Sequence, residues 1–202
     1  NCEYYNRMLL RARARQQKQP VVGTSAHHEG ISHAEGQKLD DERFSGLARQ
    51  LELAEEARVI ITHNLHVEFG LMNGAQGTVK GILFAPGAGP VHHDRALRMP
   101  LCILVDCPKY QGPPFFSEPE RRTWVPVFSK TVRDPQEKDM TRTQFLLVLG
   151  WALTPWKAQG MTLSKVKIAL GEKVAKSLGV GYTAASTVKH VRDLVFSPDL
   201  PD

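Results

Sequence analysis

The spacing of apolar positions changes character twice along the chain. Over residues 2–17, Tyr4, Tyr5, Met8 and Leu9 supply the apolar material of a predicted helix. Residues 18–38 are rich in Gly, Ser, His and Gln and predict a loop. Phe44, Leu47, Leu51 and Ala54 then recur at spacings of three and four. That spacing predicts a second helix from about Leu39 to Ala57, capped by Asp40 or Asp41. From Arg58 the pattern shortens: RVIIT (58–62), GTVKGILF (77–84), LCILVDC (101–107) and TWVPVF (123–128) predict four strands parted by Gly, Pro and His. Four such strands are enough for a small sheet or barrel. The charged run 131–142 has no apolar period and predicts a linker. Beyond it come a buried strand over 145–153, a turn or short helix at 157–163 and a strand at 165–170. A helix near 172–178 and a β segment at 194–196 complete the pattern. The expected architecture is an α/β domain interrupted by a β module over 58–130.

Composition narrows the function classes without choosing one. A chain of 202 residues is long enough for a real core, as one large domain or two small ones. Its net charge of +5 leans towards polyanions, though many basic proteins touch no nucleic acid. Arg7, Arg11 and Arg15 would line one helix face, and an ordinary solvated face explains them at least as well. Three cysteines form no CxxC pair and no even disulfide framework, so reduced thiols are expected. No apolar run approaches the length of a membrane span. The chain starts with Asn1 rather than Met, so the lack of a leader pattern carries no weight.

Chemistry concentrates where FLLVLGW (145–151) gives way to ALTPWKAQGMTL (152–163). The break puts Trp156, Lys157, Gln159, Gly160 and Thr162 at a strand-to-helix turn, where α/β sheets place their ligands. Gly160 allows a backbone close to a phosphate, while Gln159 and Thr162 offer hydrogen bonds without sequence preference. Trp156 suits base stacking, or alternatively a core gap beside Trp151. The competing reading is a turn whose polar residues only cap the next helix. Asn73-Gly74 is an Asn-Gly hairpin signal, so turn shaping is favoured for Asn64, Asn73 and Gly74 over strand contact. His27, His28, Glu29 and His33, like His92 and His93, match no metal-binding spacing, and no metal is expected.

A P-loop is absent, because none of the 16 glycines is followed by lysine. Asp40-Asp41-Glu42 follows no buried strand and is a poor holder of Mg²⁺.

Four blocks together resemble the Pif-type (petite integration frequency) DNA helicases of superfamily 1B and their Helitron-like relatives. In residues 57–83, Asn64, Leu65, Gly70, Leu71, Asn73, Gly74, Gly77 and Val79 match the pattern. CILVDCPKYQGPPFF (102–116) with TWVPVF, RTQFLLVLGWALTPWKAQGMTLSKVKIALG (142–171) and GYTAASTVKHVRDLVF (181–196) continue it in order. The opening NCEYYNRMLL is similar to the Asn-containing helix that begins the family's second motor domain.

The resemblance implies a second RecA-like domain (residues 1–57 and 131–202) interrupted by a small Src-homology-like β-barrel (58–130). It implies ATP-dependent 5′-to-3′ unwinding, with ATP and Mg²⁺ as cofactors and single-stranded DNA as partner. Trp156, Lys157, Gln159, Gly160 and Thr162, with Asn64 and Asn73 nearby, would meet the strand. Gly160, Tyr182 and Ser186 would form one wall of the nucleotide cleft. The P-loop and the Mg²⁺-holding acid belong to a first RecA-like domain, expected upstream or in trans. This chain alone is then not expected to bind or hydrolyse ATP. The family's final motif ends in an Arg that reaches the γ-phosphate, and Thr187 stands at that position. A catalytically dead, transposon-derived nucleic-acid binding module is therefore the alternative expectation. Family members serve DNA repair, recombination and telomere maintenance; the nucleus is the expected compartment and the mitochondrion the alternative.

Overall fold

The computed structural model describes residues 2–169 and 179–197. The helix expected near 172–178 lies outside the described residues. The chain divides into two compact units, Glu3–Ala152 and the part from Leu153 onward. Both mix helix and strand. No helix among the described residues is long and apolar enough to cross a membrane.

Helix α1 spans Cys2–Gln17 as the sequence predicts. Its buried stripe is Asn6, Leu10 and Ala14, four residues apart, while Tyr4 and Met8 stay exposed. Its arginines face outward: Arg7 pairs with Glu3 at 2.8 Å and Arg11 with Glu52 at 3.1 Å.

Strands β1 (Val22–Ser25), β2 (His27–Glu29) and the short helix α2 (His33–Gly36) occupy the segment expected to be loop. The helix expected over 39–57 is absent. A 3₁₀ turn (Asp41–Phe44) and strand β3 (Gln50–Leu53) replace it. The chain turns at Ser45 (φ 55°) and Gly46 (φ 79°), left-handed positions that no α-helix passes through. Phe44, Leu47, Leu51 and Ala54 are all buried as their spacing suggests, through a turn and a strand instead of one helix face. Asp40 caps only the 3₁₀ turn, accepting from Glu42 N at 3.2 Å.

The four expected strands form: β4 (Arg58–Ile61), β5 (Gln76–Leu83), β6 (Cys102–Asp106) and β7 (Trp124–Val127). They pair antiparallel in that order. Strand β5 alternates buried and half-exposed residues, the period of a sheet with one face on the core. At Gly77 a Cβ would press on the Val105 side chain and lie 2.8 Å from the Asp106 carbonyl oxygen, so only glycine lets β5 and β6 approach there.

Residues 131–142 are not a linker. Strand β8 (Ser129–Arg133) pairs with β9 (Thr141–Phe145), which pairs in turn with β2. The expected strand 145–153 is shorter: β10 (Leu147–Leu149) joins the edge of the five-stranded sheet beside β4. Val59, Ile61, Val79, Ile103, Val105, Val125, Val127, Phe145 and Leu147 form the main core, with Leu10 of α1. Phe44, Leu47, Met140 and Leu146 form a second cluster.

Two buried polar side chains fix the geometry of this first unit. Arg142 is 0% exposed. It donates to His28 Nε2, Asp41 Oδ1 and the carbonyls of Gly36, Leu39 and Leu47 at 2.7–3.1 Å, and stacks on Phe44 at 4.3 Å. A guanidinium has five N–H donors, so this one site saturates it. Asn6 donates to the Leu149 and Ala152 carbonyls at 3.2 and 2.8 Å, and its Oδ1 accepts from Trp151 N and Ala152 N at 3.1 and 2.8 Å.

In the second unit, the short helices α3 (Pro155–Ala158) and α4 (Val180–Ala185) lie against each other. Strand β11 (Val166–Ala169) pairs parallel with β12 (Leu194–Ser197), close to the expected positions.

Candidate nucleic-acid interface

Thr154 opens the turn. Its Oγ1 accepts from Lys157 N at 3.4 Å and Pro155 takes the first helical position, so α3 begins where a missing backbone N–H costs nothing. The helix ends after one turn. Gly160 sits at φ 76° with open space where a Cβ would be, so the backbone there is free to meet a ligand. Trp156, Lys157, Gln159, Gly160 and Thr162 are all exposed. At 66% exposure, Trp156 fills no core gap. Trp151 belongs to the core edge of the first unit, with the Arg13 guanidinium 5.7 Å over its ring.

The segment after Thr162 meets the segment after Ser186. Leu163 N donates to Thr187 O at 2.8 Å, and Leu163 and Val188 form a parallel bridge. The pairing continues into β11 and β12 and brings two stretches of sequence, 25 residues apart, onto one small sheet. Tyr182 (80% exposed) and Ser186 lie on the surface of α4 and its end. Ser186 Oγ donates to Thr183 O at 2.8 Å. Thr187 is buried, and its Oγ1 donates to Ala184 O at 2.7 Å.

Lys189, His190 and Asp193, none of them among the expected site residues, join Thr162 here. A cleft of about 380 Å³ is lined by Thr162, Leu163, Ser164, Lys189, His190 and Asp193. Its two walls are the two bridged segments, so only the register of that bridge makes them neighbours.

Electrostatics sets this unit apart. Its described residues hold five cations, Lys157, Lys165, Lys167, Lys189 and Arg192, against one acid, Asp193. Among the described residues none of the five has an ion-pair partner within 4.0 Å. Unpaired exposed cations of one sign hold a positive potential that favours polyanions.

Asn64 and Asn73 belong to the first unit, in the 62–75 connection between β4 and β5. Asn64 Oδ1 accepts from Asn73 N at 2.8 Å and closes the loop, with Gly74 at φ 89°. The Asn64 side chain is thus engaged in shaping the turn. His63 beside it is held below its ordinary pKa, first by burial and then by Lys130. His28 is held down to about 4, first by burial and then by the charge of Arg142. Its Nε2 accepts from Arg142, which fixes it as the neutral imidazole. No group of three His, Cys, Asp or Glu among the described residues is placed to hold a metal.

No family model matches the chain. Among known proteins it is 33% identical over 150 residues to the ATP-dependent DNA helicase PIF1 of Danio rerio, a match covering 74% of this chain and 20% of that one. It is 32% identical over 158 residues to the ATP-dependent DNA helicase PIF6 of Trypanosoma brucei brucei (77% and 17%). With human PIF1 it shares 30% over 148 residues (73% and 19%). Among solved structures, the Pif1 helicase from Candida albicans superposes with a TM-score of 0.60 at 22% identity, over 98% of this chain and 44% of that one. The Bacteroides Pif1 helicase in complex with ADP-AlF3 and ssDNA gives a TM-score of 0.57 at 18% identity, over 94% and 37%. The mixed α/β fold is therefore shared with these helicases. The chain spans about a fifth of the length of the curated relatives it matches. On this relationship the chain belongs to the Pif-type DNA helicases.

Proposed function

We propose that this chain supplies the strand-gripping part of a 5′-to-3′ DNA helicase motor. The observation that carries the reading is the exposed turn Trp156–Thr162 within a unit whose five described cations have no ion-pair partner among the described residues. Lys157 neutralises a phosphate, Gln159, Gly160 and Thr162 hydrogen-bond the backbone, and Trp156 stacks on a base. Contacts of this kind at the turn carry no base sequence. In this reading residues 1–57 and 131–202 form the second RecA-like domain, and 58–130 an inserted small β-barrel. Gly160, Tyr182 and Ser186 provide one wall of an ATP cleft. A first RecA-like domain brings the P-loop and Mg²⁺. ATP is thus a cofactor of the assembled motor and not of these residues alone.

The test is fluorescence anisotropy of a labelled single-stranded oligonucleotide with the 202-residue chain across a salt series. Trp156→Ala should weaken binding by about 1–3 kcal/mol. Lys157→Ala should flatten the salt dependence by about 0.7 in log–log slope. Unchanged affinity in both variants would end the strand-contact reading.

A second reading, a catalytically silent nucleic-acid binding module, is favoured by Thr187. It is uncharged, buried and already donating within its own helix end, so it offers nothing to a γ-phosphate. That module would bind single strands with no response to ATP analogues. A change of strand affinity on adding an analogue would exclude it.

A further inference from the structure

We infer that the Thr162–Asp193 cleft is a base-reading subsite: it takes one nucleotide of the bound strand and prefers bases that carry an exocyclic amino group. The inference rests on the strand-contact reading above and adds a specificity that the turn alone does not have.

Thr162 belongs both to the turn and to the cleft, so a strand held at the turn runs directly to the cleft's mouth. A volume of about 380 Å³ lies in the range of small-molecule sites. The lining divides by chemistry. Lys189 and the Thr162 and Ser164 hydroxyls donate to phosphate oxygens, and Leu163 gives an apolar wall for a base face. Asp193 is the odd member. A carboxylate disfavours an anion, so a site for phosphate alone would not contain it. Against a base edge it accepts a hydrogen bond from an amino group, as an acidic side chain does from cytosine N4. Thymine offers only a carbonyl oxygen at that position, which a carboxylate repels. Asp193 has no ion-pair partner among the described residues, so its charge is free for this role. Lys189 in the cleft, and Lys165 and Arg192 next in sequence to Ser164 and Asp193, outnumber it in charge and keep the surroundings attractive to the strand.

The experiment compares oligo-dC with oligo-dT of equal length, bound to the full chain at fixed salt and pH 7.5. The wild type should prefer oligo-dC by about fivefold, the low end for one base-edge contact. Asp193→Asn, which keeps the shape and removes the charge, should bring the ratio close to one while leaving oligo-dT binding as tight or tighter. Lys189→Ala should weaken both oligonucleotides and flatten the salt slope by about 0.7. Equal wild-type affinities, or a preference that Asp193→Asn leaves intact, would overturn the inference while the strand-contact reading stands. Failure of the wild type to bind either oligonucleotide would remove that reading, and this inference with it.

Discussion

Arg142 and Lys157 show the two ways this chain uses positive charge. Arg142 lies at 0% exposure among five hydrogen-bond acceptors, and Lys157 stands exposed on a one-turn helix with no ion-pair partner among the described residues. The contrast extends to the units around them. Arg7, Arg11, Arg43, Arg49, Lys80, Arg121 and Arg142 of the first unit each meet a carboxylate. The five described cations of the second meet none. Ion pairs among the described residues are thus confined to the first unit, where some of its cations hold the architecture together. The net charge of +5 averages over both and hides the difference.

The strongest way to break the comparison is at Arg142. Arg142→Met would leave His28 and three carbonyls without this donor and Asp41 with Arg49 alone, and should destabilise the fold by about 3–5 kcal/mol in urea unfolding. A loss under 1 kcal/mol would mean that the guanidinium is not the keystone of β2, α2 and β9. Acid probes the same network. The folded-state pKa of His28 is depressed from 6.5 to about 4, so the unfolded chain takes up the proton first. The neutral form's contribution is intact above pH 6.5 and is lost as pH falls towards 4, by up to about 3 kcal/mol. A His28→Gln variant should show a flatter stability profile over that window, and an identical profile would exclude His28 as the source.

Smaller effects sharpen the contrast from the other side. Replacing Lys165 and Lys167 together with Gln should leave stability within about 0.5 kcal/mol, yet lower the salt slope of single-strand binding by about 1.4. An unchanged slope would show that these free charges do not meet the strand. Lys80→Ala removes a paired cation, 2.8 Å from Glu56, and should cost under about 1 kcal/mol. It should not alter strand binding.

What the residues revealed in advance follows the same division between apolar and polar interiors. Strands β4 to β7 were legible because their buried side chains are mainly Val and Ile, β-branched residues in short runs parted by turn residues. Strand β9 was not, because its inward residues include Arg142 and Gln144, which look like surface when read alone. Strand β2 hides behind His28 for the same reason. The false helix over 39–57 arose because a 3₁₀ turn followed by a strand buried residues at helical spacing. At the candidate site, the turn was visible as an abrupt loss of apolar residues after Leu149. Lys189, His190 and Asp193 were not, since only the pairing of Leu163 with Val188 carries them to Thr162.

That pairing also works as a mechanical link. The 2.8 Å bond from Leu163 N to Thr187 O stretches by roughly 0.5 Å before it is lost. Helix α4 therefore cannot slide by more than that without either dragging Thr162 along or slipping a tooth. A displacement that began at Tyr182 and Ser186 would reach the exposed turn Trp156–Thr162 as a pull on the main chain, like one gear rack on another, with no side chain needed to relay it.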